Sequence, residues 1–382
     1  MALKGWNWGE VDIKGNMCEF LVGGKDAFEL PLSEVSNAVV PAKNEVSIEF
    51  AQTEKNKRLD CLVDIRFYVP DDEENDKDAA QLFCDAIKQN ADLGSNVGDV
   101  IAAFPDLPCL VPRGRYEVDM GTTFMRFRGK TYDYKILYSS ITKLFLLPKP
   151  DEVHILFVIG LDPPVRQGQT RYPFIIMQFP RDDTMEVTLN MEEDQIAELK
   201  LSKEYDAPTF EVVSTIFKGL TMKKIIVPGS FKSHHGFNAI KCSHKANEGF
   251  FYPLEKSIFF IPKPPIYMPH ADIGSVEFSR VGSSSSNRSF DMKVFLKNGT
   301  DFQFSNIMKE EFSSLENYLN EKGIRFKNEI SEEVVKRTTL GDMEDLSDDS
   351  SEDGDYEDED ASDESEEESD ASATEDDASA SE

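Results

Sequence analysis

Residues 141–180 read ITKLFLLPKPDEVHILFVIGLDPPVRQGQTRYPFIIMQFP. Three apolar runs, ITKLFLLPK, VHILFVIGLDPP and RYPFIIMQFP, are parted by Pro150-Asp151 and by Gln167-Gly168-Gln169. Short runs dense in Ile, Val, Leu and Phe and bounded by turn residues predict strands. Upstream, CLVPRGRYEVDM (109–120) and TFMRFRGKTYDYKILY (123–138) alternate apolar with polar residues, as antiparallel strands with one solvated face do. Downstream, after EVTLN, the stretch PTFEVVSTIFKGL (208–220) sets Phe210, Val213, Ile216, Phe217 and Leu220 at helical spacing. Several strands followed by one amphipathic helix is the plan of the middle of the chain.

The same plan recurs on both sides. Before it, VDIKGNMCEFLVG, DAFELPL, NEVSIEFA and LVDIRFYV alternate, and DAAQLFCDAIKQNA (78–91) carries Ala79, Leu82, Phe83, Ala86 and Ile87 as a helical stripe. After it come AIKCSHKA, GFFYPLEKSIFFIP, PIYMP, GSVEFSR, SFDMKVFLKNG and DFQFSNI, closed by KEEFSSLENYLNEKG (309–323) with Phe312, Leu315 and Leu319 inside and Gly323 as its stop. Seven or so antiparallel strands and a C-terminal helix in about 100 residues match the pleckstrin-homology barrel, although strand pattern alone also allows other small barrels. The expected fold is mainly β with C-terminal helices (α+β), built of tandem pleckstrin-homology-like barrels. Domains are expected at 1–95, 100–222 and 223–328, with Leu93–Asp99 and Thr221–Ser230 as boundaries. The charged stretch Asn190–Asp206 reads as a helix or loop appended to the second barrel, and Gly282–Asn287 (GSSSSN) as a hairpin tip.

Charge is distributed very unevenly. The chain has 72 acidic and 41 basic residues, a net charge of −31. Asp342–Glu382 holds 22 carboxylates and neither Lys nor Arg, so the remainder carries 50 acidic against 41 basic residues. Such a segment has too little apolar surface to offset chain entropy, and 329–382 is therefore expected to be a disordered acidic tail. A polyanion suits the capture of polycations such as histones, while a purely solubilising tail is the plainer reading. Within it, Ser350, Ser365 and Thr374 each have an acid three positions on, the pattern favoured by an acidophilic kinase. Each phosphate adds about −1.5 to −2 charge at pH 7.

Several function classes are disfavoured. No run of about 18 apolar residues offers a membrane span, and MALKGWNWGEVDIKG lacks the apolar region of a secretory signal. The five cysteines, Cys18, Cys61, Cys84, Cys109 and Cys242, are widely spaced and fit reduced, buried thiols. His234-His235, Cys242 and His244 fit no common zinc spacing, so no metal site is assigned, and no cofactor is expected. No nucleotide-binding, metalloprotease or nucleophile-elbow motif occurs, so the chain is read as non-enzymatic. Trp6 and Trp8 alternate on a first strand and are expected in the core or at an interface.

One basic cluster interrupts the acidic background. Arg113 and Arg115 alternate with Glu117, Arg126 and Arg128 with Lys130, and Arg166 and Arg171 flank Gln167-Gly168-Gln169. Period-two spacing predicts that Arg113, Arg115 and Glu117 share one strand face, and that Arg126, Arg128 and Lys130 share another. LDPPVRQGQTRY reads as a rigid loop, because prolines cannot donate to a ladder and Gly168 permits positive φ. The plainer alternative is a solvated face of cross-strand charge pairs, with glutamines facing water.

Six stretches carry a resemblance: KGWNWGEVDIKGNM, PLSEVSNAVVPAKNEVSIEF, LVPRGRYEVDM, FRGKTYDYKILYSSITKLFLLPK, LDPPVRQGQTRYPF and FYPLEKSIFFIPKPP. From about Lys4 to Asn328 the chain resembles the structure-specific recognition protein family, the smaller subunit of the FACT histone chaperone, in wording closest to plant and algal members. The resemblance implies tandem pleckstrin-homology domains, a location in the nucleus on the chromosome, and binding of core histones and nucleosomes during transcription, replication and repair. It also implies partnership with the large FACT subunit. The family has a further domain before the WNWG motif that belongs to this pairing, so the heterodimer stays an open expectation for a chain beginning at that motif. Plant and animal members follow the acidic segment with a DNA-bending HMG box, which is not found here, so DNA is expected to be met indirectly through nucleosomes. Matched motif by motif, the family's histone-binding surface implies Arg113, Arg115, Lys130 and Gln167. The competing readings are an adaptor for replication or transcription proteins and a phosphoinositide binder, the latter disfavoured because an acidic chain is repelled by an anionic membrane.

Overall fold

The computed structural model describes residues 7–50, 62–71, 78–91, 100–281 and 288–328. Leu93–Asp99, the GSSSSN stretch, Trp6, Cys61, and the acidic segment with Ser350, Ser365 and Thr374 lie outside the described residues.

The central sheet has eight strands in the spatial order Asp133–Leu137, Phe124–Arg128, Gly114–Met120, Ala102–Val111, Thr170–Pro180, His154–Gln167, Ile141–Pro148 and Ile225–Ile226. Neighbours are antiparallel except the last pair, where Leu144 and Phe145 lie parallel to Ile225 and Ile226. Residues 225–226, expected in a linker, thus extend the sheet. The third sheet repeats this order strand for strand: Ile266–Pro269, Ser257–Ile261, Asn247–Pro253, Ile240–His244, Asp301–Met308, Ser289–Leu296, Ile273–Ser279 and Phe326–Asn328. Again only the last pair is parallel. The first segment has two three-stranded sheets, Glu10–Lys14 with Met17–Val22 and Lys25–Pro31, and Val35–Ala42 with Glu45–Phe50 and Asp64–Tyr68. The strand Val35–Ala42 was not anticipated. The molecule is mostly β with one helix closing each strand set.

Each closing helix forms where expected, although in the first Leu82 of the expected stripe is exposed and the buried face runs through Ala80, Cys84 and Ile87. Ala79–Asn90 is capped by Asp78, whose carboxylate accepts from Ala80 and Gln81. Thr209–Thr221 buries Val212, Val213, Ile216 and Phe217, with Phe217 edge-on to Phe157 at 5.3 Å between ring centres. Phe312–Glu321 buries Leu315, Tyr318 and Leu319. The charged stretch after residue 190 forms the helix Glu193–Leu199 and the strand Glu204–Pro208, which pairs with Thr184–Thr188 as a separate hairpin.

The second and third sheets share a core. Phe145, Leu147, Leu156 and Val158 of one pack with Tyr252, Leu254, Phe259 and Ile261 of the other. Phe145 and Phe259 lie 4.9 Å apart between ring centres, and Tyr252 donates its hydroxyl to the Pro148 carbonyl at 3.1 Å. The pair is held by buried apolar surface, not merely by a short connection.

Candidate functional site

The site is organised around Tyr116, a residue that no motif or spacing singles out. Tyr116 is buried on the strand Gly114–Met120 with Val118 and Met120, as period two requires. Its hydroxyl lies 3.5 Å from Nε2 of Gln167, and that same nitrogen donates to Tyr134 at 2.6 Å. Tyr172 donates to Oε1 of Gln167 at 3.3 Å. The Gln167 amide is therefore spent on three tyrosines and is not a free recognition group. Burial pushes the Tyr116 phenol up to about 12, and the Tyr134 phenol higher still.

Gly129 explains why the chain turns where it does: a Cβ there would stand 2.7 Å from the Tyr116 ring, so only glycine permits this approach. Lys130 follows it, in the turn between Phe124–Arg128 and Asp133–Leu137. Arg113 also lies in a turn, Pro112-Arg113, between Ala102–Val111 and Gly114–Met120. Neither residue shares a strand face with its expected partners, because apolar–polar alternation runs straight through both turns. All three regions nonetheless meet at Tyr116: Arg113 through neighbouring Gly114, Lys130 through Gly129, and Gln167 directly.

Arg115, Arg126 and Arg128 are committed to charge pairs. Arg115 pairs with Asp106, donating to its carboxylate and, at 3.0 Å, to its backbone carbonyl, which holds the Asp106 carboxyl below its usual range. Arg128 pairs with Asp119 and lies 3.3 Å from Glu117, and Arg126 lies 3.7 Å from Asp133. For these three the cross-strand pairing reading holds. Arg113 and Lys130 are exposed and make no ion pair among the described residues.

LDPPVRQGQT is not a loop. The strand His154–Gln167 continues through Pro163-Pro164, and the turn is only Gly168-Gln169, with Gly168 at φ 56°. The prolines are tolerated because the ladder with Thr170–Pro180 is interrupted between Gly160 and Val165. Gly168 donates its N–H at 3.0 Å to Glu49 of the first segment, a carboxylate only 4% exposed. Arg166 and Arg171 stand directly opposite each other on the two strands.

The remaining candidates behave as ordinary residues. His244 shares the inward face of its strand with Cys242, and its Nδ1 lies 2.8 Å from the Gln303 carbonyl. Cys18, Cys84, Cys109 and Cys242 are free and buried. Trp8 is 76% exposed, so it is not a core residue. No described helix is long and apolar enough to cross a membrane.

Family models match most of the chain: Structure-specific recognition protein over residues 1–95, the PH domain of that protein over 99–225, and Histone chaperone Rttp106-like, middle domain, over 238–328. The FACT complex subunit pob3 of Schizosaccharomyces pombe is 48% identical across 93% of this chain and 72% of its own length. The chain belongs to the structure-specific recognition protein family. FACT subunits of Mycosarcoma maydis (44% identical, 87% of this chain, 66% of the relative) and Yarrowia lipolytica (42%, 92% and 72%) are similar too, so fungal members stand among its near relatives. The solved structure of the Spt16D Pob3N heterodimer is 42% identical over 18% of this chain and 43% of its own, with a TM-score of 0.16. Within this family of FACT complex subunits, the central module is thus a PH domain, and the patch around Tyr116 lies on it.

Proposed function

We propose that this chain is a non-enzymatic histone-holding subunit of a FACT-type complex, acting on nucleosomes in the nucleus. The observation that carries the reading is the gathering of Arg113 and Lys130, exposed and without ion pairs among the described residues, beside the Gln167–tyrosine cluster. Their cations suit carboxylates and helix C-terminal carbonyls on a histone surface. The 22 carboxylates of Asp342–Glu382 supply the complementary term, replacing DNA phosphates on the basic histone surface. Phosphates at Ser350, Ser365 and Thr374 would deepen that charge. Domains spanning 1–95, 100–222 and 223–328, followed by the acidic segment from 329, are part of the proposal. So is pairing with the large FACT subunit, for which Val11 and Val22 on the first sheet and Trp8 just before it offer exposed apolar surface.

The test is competition. Purified chain should strip DNA from histones, and the Arg113→Glu/Lys130→Glu variant should do so less well with unchanged folding. Flotation with liposomes containing phosphoinositides runs in parallel. Membrane capture without histone binding would overturn the proposal in favour of the lipid reading.

A further inference from the structure

In the strand Asp64–Tyr68, Ile65 and Phe67 pack into the first segment's own core, so period two sends Asp64 and Arg66 to the opposite face. Asp64 stands directly across from Glu49, and Arg66 across from Ser47. Ser47 and Glu49 are each only 4% exposed, and Gly168 of the second segment meets this face through its bond to Glu49. Arg66 therefore lies on the side of the first segment that abuts the second, yet its own side chain stays 55% exposed.

The residue it approaches is Tyr132. Burial pushes that phenol up, Glu49 adds to the rise and Arg66 opposes it, so both side chains stand within electrostatic reach of the ring. Tyr132 stacks on Tyr134, with 6.4 Å between ring centres and 3° between planes. It also closes the turn that carries Lys130, because Gly129 donates its N–H to the Tyr132 carbonyl at 3.0 Å. Arg66 and Lys130 are thus both neighbours of one tyrosine. Arg66 is loosely held: its Nε lies 3.8 Å from Asp64, beyond hydrogen-bond length. A guanidinium carries five N–H donors, and among the described residues no side-chain hydrogen bond spends them.

Given the histone-holding role proposed for Arg113 and Lys130, on which this step rests, we infer that Arg66 is a third cation of the same corner. The histone-facing surface is then composite, built from the first and second segments together. The planar fork of Arg66 suits two-point contact with a histone carboxylate, where Lys130 offers a point charge. The Gly168–Glu49 bond, made on the face that Arg66 shares, sets where this arginine stands relative to the tyrosines.

The experiment is competition with the full chain: purified core histones on fluorescent duplex DNA, with anisotropy reporting the DNA displaced at several salt concentrations. Arg66→Glu should weaken histone binding by about threefold or more at moderate salt. Arg66→Gln should lessen the salt dependence, and Arg66→Lys should bind better than Arg66→Gln. Lys25→Glu, the same charge change on the other sheet of the first segment, should bind like the parent. A photo-reactive residue in place of Arg66 should cross-link to histone, and Lys130→Glu should suppress that cross-link; this arm keeps the test open if Arg66→Glu does not fold. Parent-like binding by Arg66→Glu, with affinity lost in Arg113→Glu/Lys130→Glu, overturns the composite surface and leaves the histone corner standing. Parent-like binding by both variants overturns the two together. An equal loss in Lys25→Glu reduces the effect to net charge and overturns the role of Arg66, as does a cross-link that Lys130→Glu leaves unchanged.

Discussion

Gly168 donates its backbone N–H to Oε1 of Glu49 at 3.0 Å, joining positions 119 residues apart. Burial holds the Glu49 carboxyl above its ordinary 4.5, and the Gly168 bond opposes this only in part. A carboxyl raised in the folded state contributes stability that is present below its ordinary value and lost as pH rises through the folded value. Folding stability should therefore rise as pH falls towards 4.5, while the Gly168 bond, made to the ionised carboxylate, weakens. Glu49→Gln keeps an acceptor for Gly168 and should flatten that dependence. Urea unfolding measured across pH checks this; the same slope in both proteins would contradict it.

Gln167 tests whether the Tyr116 cluster is a surface or a pin. Gln167→Ala strands the Tyr134 and Tyr172 hydroxyls and should cost about 1–3 kcal/mol in urea unfolding. A cost below about 0.5 kcal/mol would show that water replaces the amide freely.

Arg113 and Lys130 should behave in the opposite way. Charge reversal at both should leave unfolding within about 0.5 kcal/mol of the parent, since both are exposed and without ion pairs among the described residues. Histone affinity, by contrast, should drop measurably at moderate salt. Loss of folding in the double variant would mark them as structural.

The closing helices were readable because their signal is local: the stripe in residues 78–91 contains Ala79–Asn90 with its Asp78 cap. Alternation also marked most strands, but it does not stop at a turn, so Pro112-Arg113 and Gly129-Lys130 were read as strand. The two prolines misled in the other direction, because the interruption of the ladder between Gly160 and Val165 is a property of the strand pair. Nothing near Glu49 announces that the second segment buries it, and Gln167 finds its tyrosines 5, 33 and 51 residues away. Long-range partners of polar residues leave no periodic trace.

The shared core predicts cooperative unfolding. Phe259→Ala removes a buried ring in contact with Phe145 and Phe174, and should cost about 3–5 kcal/mol. Second and third modules should still melt in one transition by calorimetry. Two separated transitions in the parent protein would refute the coupling.

Deleting Asp342–Glu382 should leave that transition unmoved while weakening histone binding and flattening its salt dependence. Binding isotherms at two ionic strengths decide the matter, and identical isotherms would count against a role for the acidic segment.

The strand His154–Gln167 runs 14 residues, roughly 45 Å at about 3.3 Å each. Leu156 and Val158 anchor one end in the core shared with the third module, while Gln167 and the adjoining Gly168 grip Tyr134 and Glu49 at the other. It is a lever arm. A pull at the tip runs along covalent backbone to Leu156 and Val158, whose packing against the third module passes it on, and the ladder with Thr170–Pro180 is interrupted between Gly160 and Val165 along the way. Load at that tip would thus be felt across three modules at once.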